Sequence, residues 1–101
     1  GSGPAYVFYF IEAMVSAGVR MGLTAEQAHQ LAVGTFVGAA ELARSSADSP
    51  SVLRDKVTSK GGTTHAAISR MQADGLAGLI EAALQAAQQR AIELGQDLDQ
   101  A

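Results

Sequence analysis

The sequence contains no cysteine, which excludes a disulfide framework and a thiolate metal site. Charge is sparse at 17% of residues, and the net charge of −3 argues against general binding to nucleic acid or to an acidic membrane. The longest unbroken apolar run is Ala5–Ile11, far short of the roughly 20 residues that a spanning helix needs. No basic segment precedes that run, so it does not read as a secretory signal. The two histidines, His29 and His65, are far apart, and no ligand cluster surrounds either. Aromatics are few: of five, four are Tyr6, Phe8, Tyr9 and Phe10. What is abundant is alanine, 20 of 101 residues, in a chain that is 48% hydrophobic and therefore globular rather than disordered. The length suits one domain. A domain of this size buries roughly 60–65% of its unfolded surface, and alanine fills such a core thinly. A partner chain or a further domain is expected, in a soluble, intracellular and cofactor-poor setting.

Gly and Pro punctuate a pattern that is helical almost throughout, with no sustained strand-like alternation. The first helix is expected from about Ala5 to Gly18, with Pro4 in its first turn. It is apolar nearly all round, Glu12 being its one charge. A helix hydrophobic on every side is buried on every side, which a 101-residue monomer does not readily arrange. Glu12 itself reads as solvated or capping. Gly18 and Gly22 bracket a turn, and Thr24 with Gln27 has the form of a capping box opening a second helix to about Ala47. Gly34 and Gly38 lie four apart on one face of it and predict a close helix contact; Glu26, His29 and Glu41 exclude a membrane span. Ser49 and Pro50 start a short third helix that ends near Ser59. Thr63 or Thr64 caps a fourth, to about Asp74, and Gly75 breaks it. Leu76, Leu79, Ile80, Ala83, Leu84, Ala87, Ala91 and Leu94 then recur with helical period, with Gly95 as a C-terminal stop and residues 96–101 frayed.

The segment from Leu53 to Thr64 is where chemistry is expected. Arg54, Lys56 and Lys60 are three of the chain's seven basic residues. Gly61-Gly62 permits a tight turn with exposed N–H groups, and the two threonines open a helix whose start carries free N–H groups and partial positive charge. These are the parts of a site for a carboxylate or phosphate. The same residues also spell an ordinary interhelix turn with a capped helix. The segment is not a P-loop, and Gly1-Ser2-Gly3 is not a dinucleotide fingerprint. His29 reads as a surface residue. His65 lies beside the turn, with a surface position again the plainer reading. No Ser/His/Asp arrangement and no purposeful carboxylate pair is present, and the basic cluster lacks the interleaved aromatics of a single-strand binder.

Three stretches resemble the C-terminal domain of pyrroline-5-carboxylate reductase: Gly1-Ser2-Gly3-Pro4-Ala5-Tyr6, Ala17-Gly18-Val19-Arg20-Met21-Gly22-Leu23, and Leu53 through Thr64 with its Val-Thr-Ser-x-Gly-Gly-Thr-Thr core. The alanine-rich last helix with Glu93-Leu94-Gly95 fits as well. The resemblance implies an all-α domain of about five helices, folded as an intertwined homodimer, over residues 1–101. It implies that an N-terminal Rossmann domain holding NADH or NADPH lies outside this chain, and that Gly1-Ser2 is native sequence. It implies that Ser59, Gly61, Gly62 and Thr63 bind the substrate carboxylate and that the Thr64 hydroxyl contacts the ring nitrogen as the catalytic group. Lys60 departs from the family, which often has proline there. His65 matches no functional position. Further implications are larger rings of dimers, a cytoplasmic proline-biosynthetic oxidoreductase with no nucleic-acid or membrane partner, and no reductase activity in this fragment alone. A non-catalytic homodimerisation module with no ligand at the Gly-Gly turn is the alternative. A helical domain from a reductase of another imine or hydroxy acid is a third, and it has no need of the Thr63-Thr64 pair.

Overall fold

The computed structural model describes the backbone of residues 3–100 and the side chains of residues 3–96. Gly1, Ser2 and Ala101, and with them the reading of Gly1-Ser2 as a native start, lie outside the described residues. Five helices follow one another: α1 (Gly3–Arg20), α2 (Ala25–Ser45), α3 (Pro50–Lys56), α4 (Thr63–Ala73) and α5 (Leu76–Gln100). No strand occurs among the described residues, so the fold is all-α as expected. The chain divides into two compact units, Gly1–Leu53 and Arg54–Ala101, with the boundary inside α3.

In the first unit α1 and α2 pack as a helical hairpin. The reversal is built by Gly22, whose φ of +106° favours glycine. Its N–H donates to the Val19 carbonyl at 3.1 Å, and the Leu23 N–H donates to the Gly18 carbonyl at 3.1 Å. This pair of bonds is the Schellman ending of a helix. The expected capping box follows at once. Thr24 Oγ1 accepts from the Gln27 N–H at 3.1 Å, and Gln27 Oε1 accepts from the Thr24 N–H at 3.0 Å. Gly18 closes the turn through its carbonyl, as expected, but it lies inside α1, which runs on to Arg20, and against α2. A Cβ at that position would come within 3.0 Å of Ala28 Cβ. A close helix approach is thus found at Gly18, while Gly34 and Gly38 have no neighbour within 4 Å among the described residues of this one chain.

α2 stops at Ser45, two residues before the expected end, with the Ser46 N–H bonded to the Leu42 carbonyl at 3.0 Å. Ser49 then caps α3, its Oγ accepting from the Val52 N–H at 3.3 Å. α3 ends at Lys56 rather than near Ser59.

In the second unit α4 packs on α5. Gly75, at φ +72°, breaks between them as expected. Gly95 does not act as a stop. The helical backbone continues through it to Gln100, so the expected frayed end is helical as far as the description extends.

The thin core is the main energetic fact. Among the described residues the buried hydrophobic side chains are Ala28 and Ala32, each 3% exposed. The all-apolar α1 remains open, with Phe8 65% and Tyr9 73% exposed. The periodic stripe of α5 is open too, at Leu79, Ile80, Leu84 and Leu94. Burying a large apolar side chain is worth about 1.5–3 kcal/mol, so several such contributions are unrealised within one chain. The ion pairs Glu41–Arg44, Arg70–Asp74 and Arg90–Glu93 are all exposed, and such pairs add little. No helix among the described residues is long and apolar enough to cross a membrane.

Candidate functional site

The expected site residues come together in one turn and the first turn of α4. The Gly62 N–H donates to the Ser59 carbonyl at 3.0 Å, closing a four-residue β-turn over Ser59-Lys60-Gly61-Gly62. Gly61, third in that turn, has φ +76°. No non-glycine residue has positive φ among the described residues, so Lys60 does not, and the turn is type II. That type wants glycine third and favours proline second, the place Lys60 holds.

The next residue sets the chemistry. Gly62, not Thr63 or Thr64, is the N-cap of α4, and no side chain caps the helix. The expected cap at Thr63 or Thr64 therefore falls one or two residues late, because glycine and threonine are about equally good N-caps. Thr63 and Thr64 instead stand in the first helical turn, both exposed. The first intrahelical bond runs from the Ala66 N–H to the Gly62 carbonyl at 3.1 Å. The N–H groups of Thr63, Thr64 and His65 are thereby left at the helix start without a partner among the described residues. By contrast, α2 and α3 begin on the side-chain caps Thr24 and Ser49.

Ser59 completes the arrangement. Its Oγ lies beside the N-cap, 2.6 Å from where a Cβ on Gly62 would stand. A hydroxyl and three open N–H groups therefore share the positive end of an 11-residue helix. The first turn of α4 carries no acidic residue, so nothing there repels an anion. The Gly62 N–H is already committed to Ser59, whereas the N–H groups of Lys60, Gly61, Thr63, Thr64 and His65 are open among the described residues. The His65 N–H is open as well, although the resemblance carries no functional role over to that residue. The arrangement suits a single carboxylate or phosphate oxygen pair.

The other residue weighed from the sequence, His29, is plain surface. His29 is exposed and lines a groove of about 600 Å³ with Phe8, Ile11, Glu12, Val15 and Val33. No group of histidine, aspartate and glutamate among the described residues is placed to hold a metal ion.

The family of pyrroline-5-carboxylate reductase dimerisation domains matches residues 1–94. The chain belongs to this family. A pyrroline-5-carboxylate reductase of Pseudomonas aeruginosa is 50% identical over 100 residues, 99% of this chain and 37% of that protein. One from Synechocystis is 44% identical over 95 residues, covering 94% of this chain and 36% of its own length. A solved pyrroline-5-carboxylate reductase of Coxiella burnetii superposes with a TM-score of 0.89 at 46% identity, over 93% of this chain and 35% of that one. A Plasmodium falciparum pyrroline carboxylate reductase with NADP bound gives 0.83 at 32% identity, over 85% of this chain and 33% of the other. The chain thus spans little more than a third of the length of these reductases. Membership in the dimerisation family also supports association between copies of the domain, as the open apolar faces of α1 and α5 require.

Proposed function

We propose that this chain is the helical dimerisation and substrate-binding part of an enzyme that reduces 1-pyrroline-5-carboxylate to L-proline. The family match over residues 1–94, with an open helix start at its Ser-x-Gly-Gly-Thr-Thr segment, is the observation that carries this reading. The substrate carboxylate rests on the Ser59 hydroxyl and on the N–H groups of Gly61, Thr63 and Thr64. Gly62 shapes the turn. A charged acceptor makes such bonds shorter and about twice as strong as neutral ones. With the carboxylate fixed, the ring is oriented, and the Thr64 hydroxyl holds the ring nitrogen. Fixing both ends of a small substrate aligns its C=N carbon for attack.

A reduced nicotinamide, NADH or NADPH, supplies the hydride when bound, and a separate nucleotide-binding domain carries it. The single anion cradle at 59–65 does not fit a dinucleotide, and Gly1-Ser2-Gly3 supplies no fingerprint for one. Two copies of the domain interlock as a homodimer, in which the apolar faces of α1 and α5 leave water, and dimers associate further into rings. The setting is a cytoplasmic enzyme of proline biosynthesis.

Kinetics of the full-length reductase carrying this domain test the reading. Thr64→Ala should lower kcat at least tenfold, and Ser59→Ala should raise KM for pyrroline-5-carboxylate, each with the KM for NADPH unchanged. If neither variant alters turnover or the substrate KM, the turn is unliganded and the chain is an association module only.

A further inference from the structure

Glycine is required at two successive positions of the turn, and the reasons differ. At Gly61 the backbone demands it, because φ is +76°. At Gly62 the backbone does not: φ is −86° and ψ −179°, an extended conformation that any residue adopts. Nor does capping favour glycine there, since serine, asparagine and aspartate are at least as good at an N-cap. The Gly62 N–H is bonded to the Ser59 carbonyl, so it is not a free donor for a ligand either.

What distinguishes position 62 is space. A Cβ there would stand 2.6 Å from Ser59 Oγ, 3.3 Å from the Ser59 carbonyl oxygen and 3.8 Å from Ser59 Cβ. The shortest of these distances is below any van der Waals separation, and it involves the one hydroxyl of the turn. Alanine at 62 would therefore drive the hydroxyl away from the start of α4. A capping side chain at 62 would in addition occupy the N–H groups that the helix leaves open.

We propose that Gly62 is a positioning residue, whose missing side chain is the space that lets the Ser59 hydroxyl lie beside the open N-terminus of α4. This rests on the carboxylate reading given under Proposed function. Its effect runs through Ser59, so it depends on that hydroxyl being present.

The test is a double-mutant cycle in the full-length reductase, read as KM for pyrroline-5-carboxylate against KM for NADPH, with kcat for each variant. Gly62→Ala should raise the substrate KM about tenfold, as Ser59→Ala does, and leave the KM for NADPH unchanged. In the Ser59→Ala background, Gly62→Ala should change the substrate KM by less than about twofold, because the clashing oxygen is gone. A Gly62→Ala enzyme with the original KM overturns the inference. So does a full tenfold loss that persists in the Ser59→Ala background, which traces the effect to the carbonyl contact at 3.3 Å. Should Gly62→Ala alone fail to fold, the double variant decides: recovery of the fold supports the inference, and an equally unfolded double variant overturns it. A substrate KM unchanged by Ser59→Ala sinks the carboxylate reading itself, and this inference with it.

Discussion

Gly18 of α1 lies against Ala28 of α2, so close that a methyl group on Gly18 would reach 3.0 Å from the Ala28 methyl. Ala28 is one of the two buried hydrophobic side chains among the described residues. Two effects compete on substitution. Gly18→Ala gains up to about 1 kcal/mol of helix propensity but overpacks the contact, which costs about 1–3 kcal/mol. Gly18→Val adds two more methyl groups and loses most of the propensity gain. The expected order of stability is therefore wild type, then Ala, then Val, with Val lower by more than about 2 kcal/mol. Urea unfolding midpoints followed by circular dichroism would give that order.

Lys60 sits second in a type II turn, the place that favours proline, and its N–H has no partner among the described residues. Lys60→Pro should stabilise the protein by about 0.4–1 kcal/mol by restricting the unfolded chain. A thermal melt that moves upward by a few degrees checks this. A downward shift would mean that the turn is not type II.

Thr24 and Gln27 satisfy each other's N–H groups at the start of α2. Thr24→Ala should cost about 1 kcal/mol. Thr24→Ser should restore nearly all of it, which separates loss of the hydroxyl from loss of the methyl. Chemical denaturation of the three proteins measures the difference.

Phe8 and Leu79 are 65% and 64% exposed, on the helices with the largest open apolar faces. Light scattering at micromolar concentration should find a dimer or a multiple of it. Phe8→Glu or Leu79→Glu should shift the population toward monomer by placing a charge in the contact. A stable wild-type monomer would contradict the assembly.

The helices were legible in the sequence because their punctuation is chemical. Gly22, Thr24, Ser49-Pro50 and Gly75 each act as their residue types predict. The errors have a common source. Gly18, Gly34, Gly38 and Gly95 carry no local signal of whether a glycine breaks a helix, admits a neighbour or simply rides along. Only tertiary contact decides that. The turn and the open helix start at Ser59, Gly61, Gly62, Thr63 and Thr64 were legible as a segment. The cap at Gly62 and the bond from its N–H to Ser59 were not, because they follow from the backbone conformation at 61 and 62, which the residue types alone leave open.

Each helix pair joins neighbours in sequence, α1 with α2 and α4 with α5. Contacts of such short range form in microseconds to milliseconds. Meeting a second chain is a collision, and its frequency scales with how many chains are present. Refolding from denaturant should therefore keep two clocks. The recovery of helical signal runs at a rate independent of dilution. The loss of solvent around Tyr6 and Tyr9, read by their fluorescence, speeds up as the protein is made more concentrated.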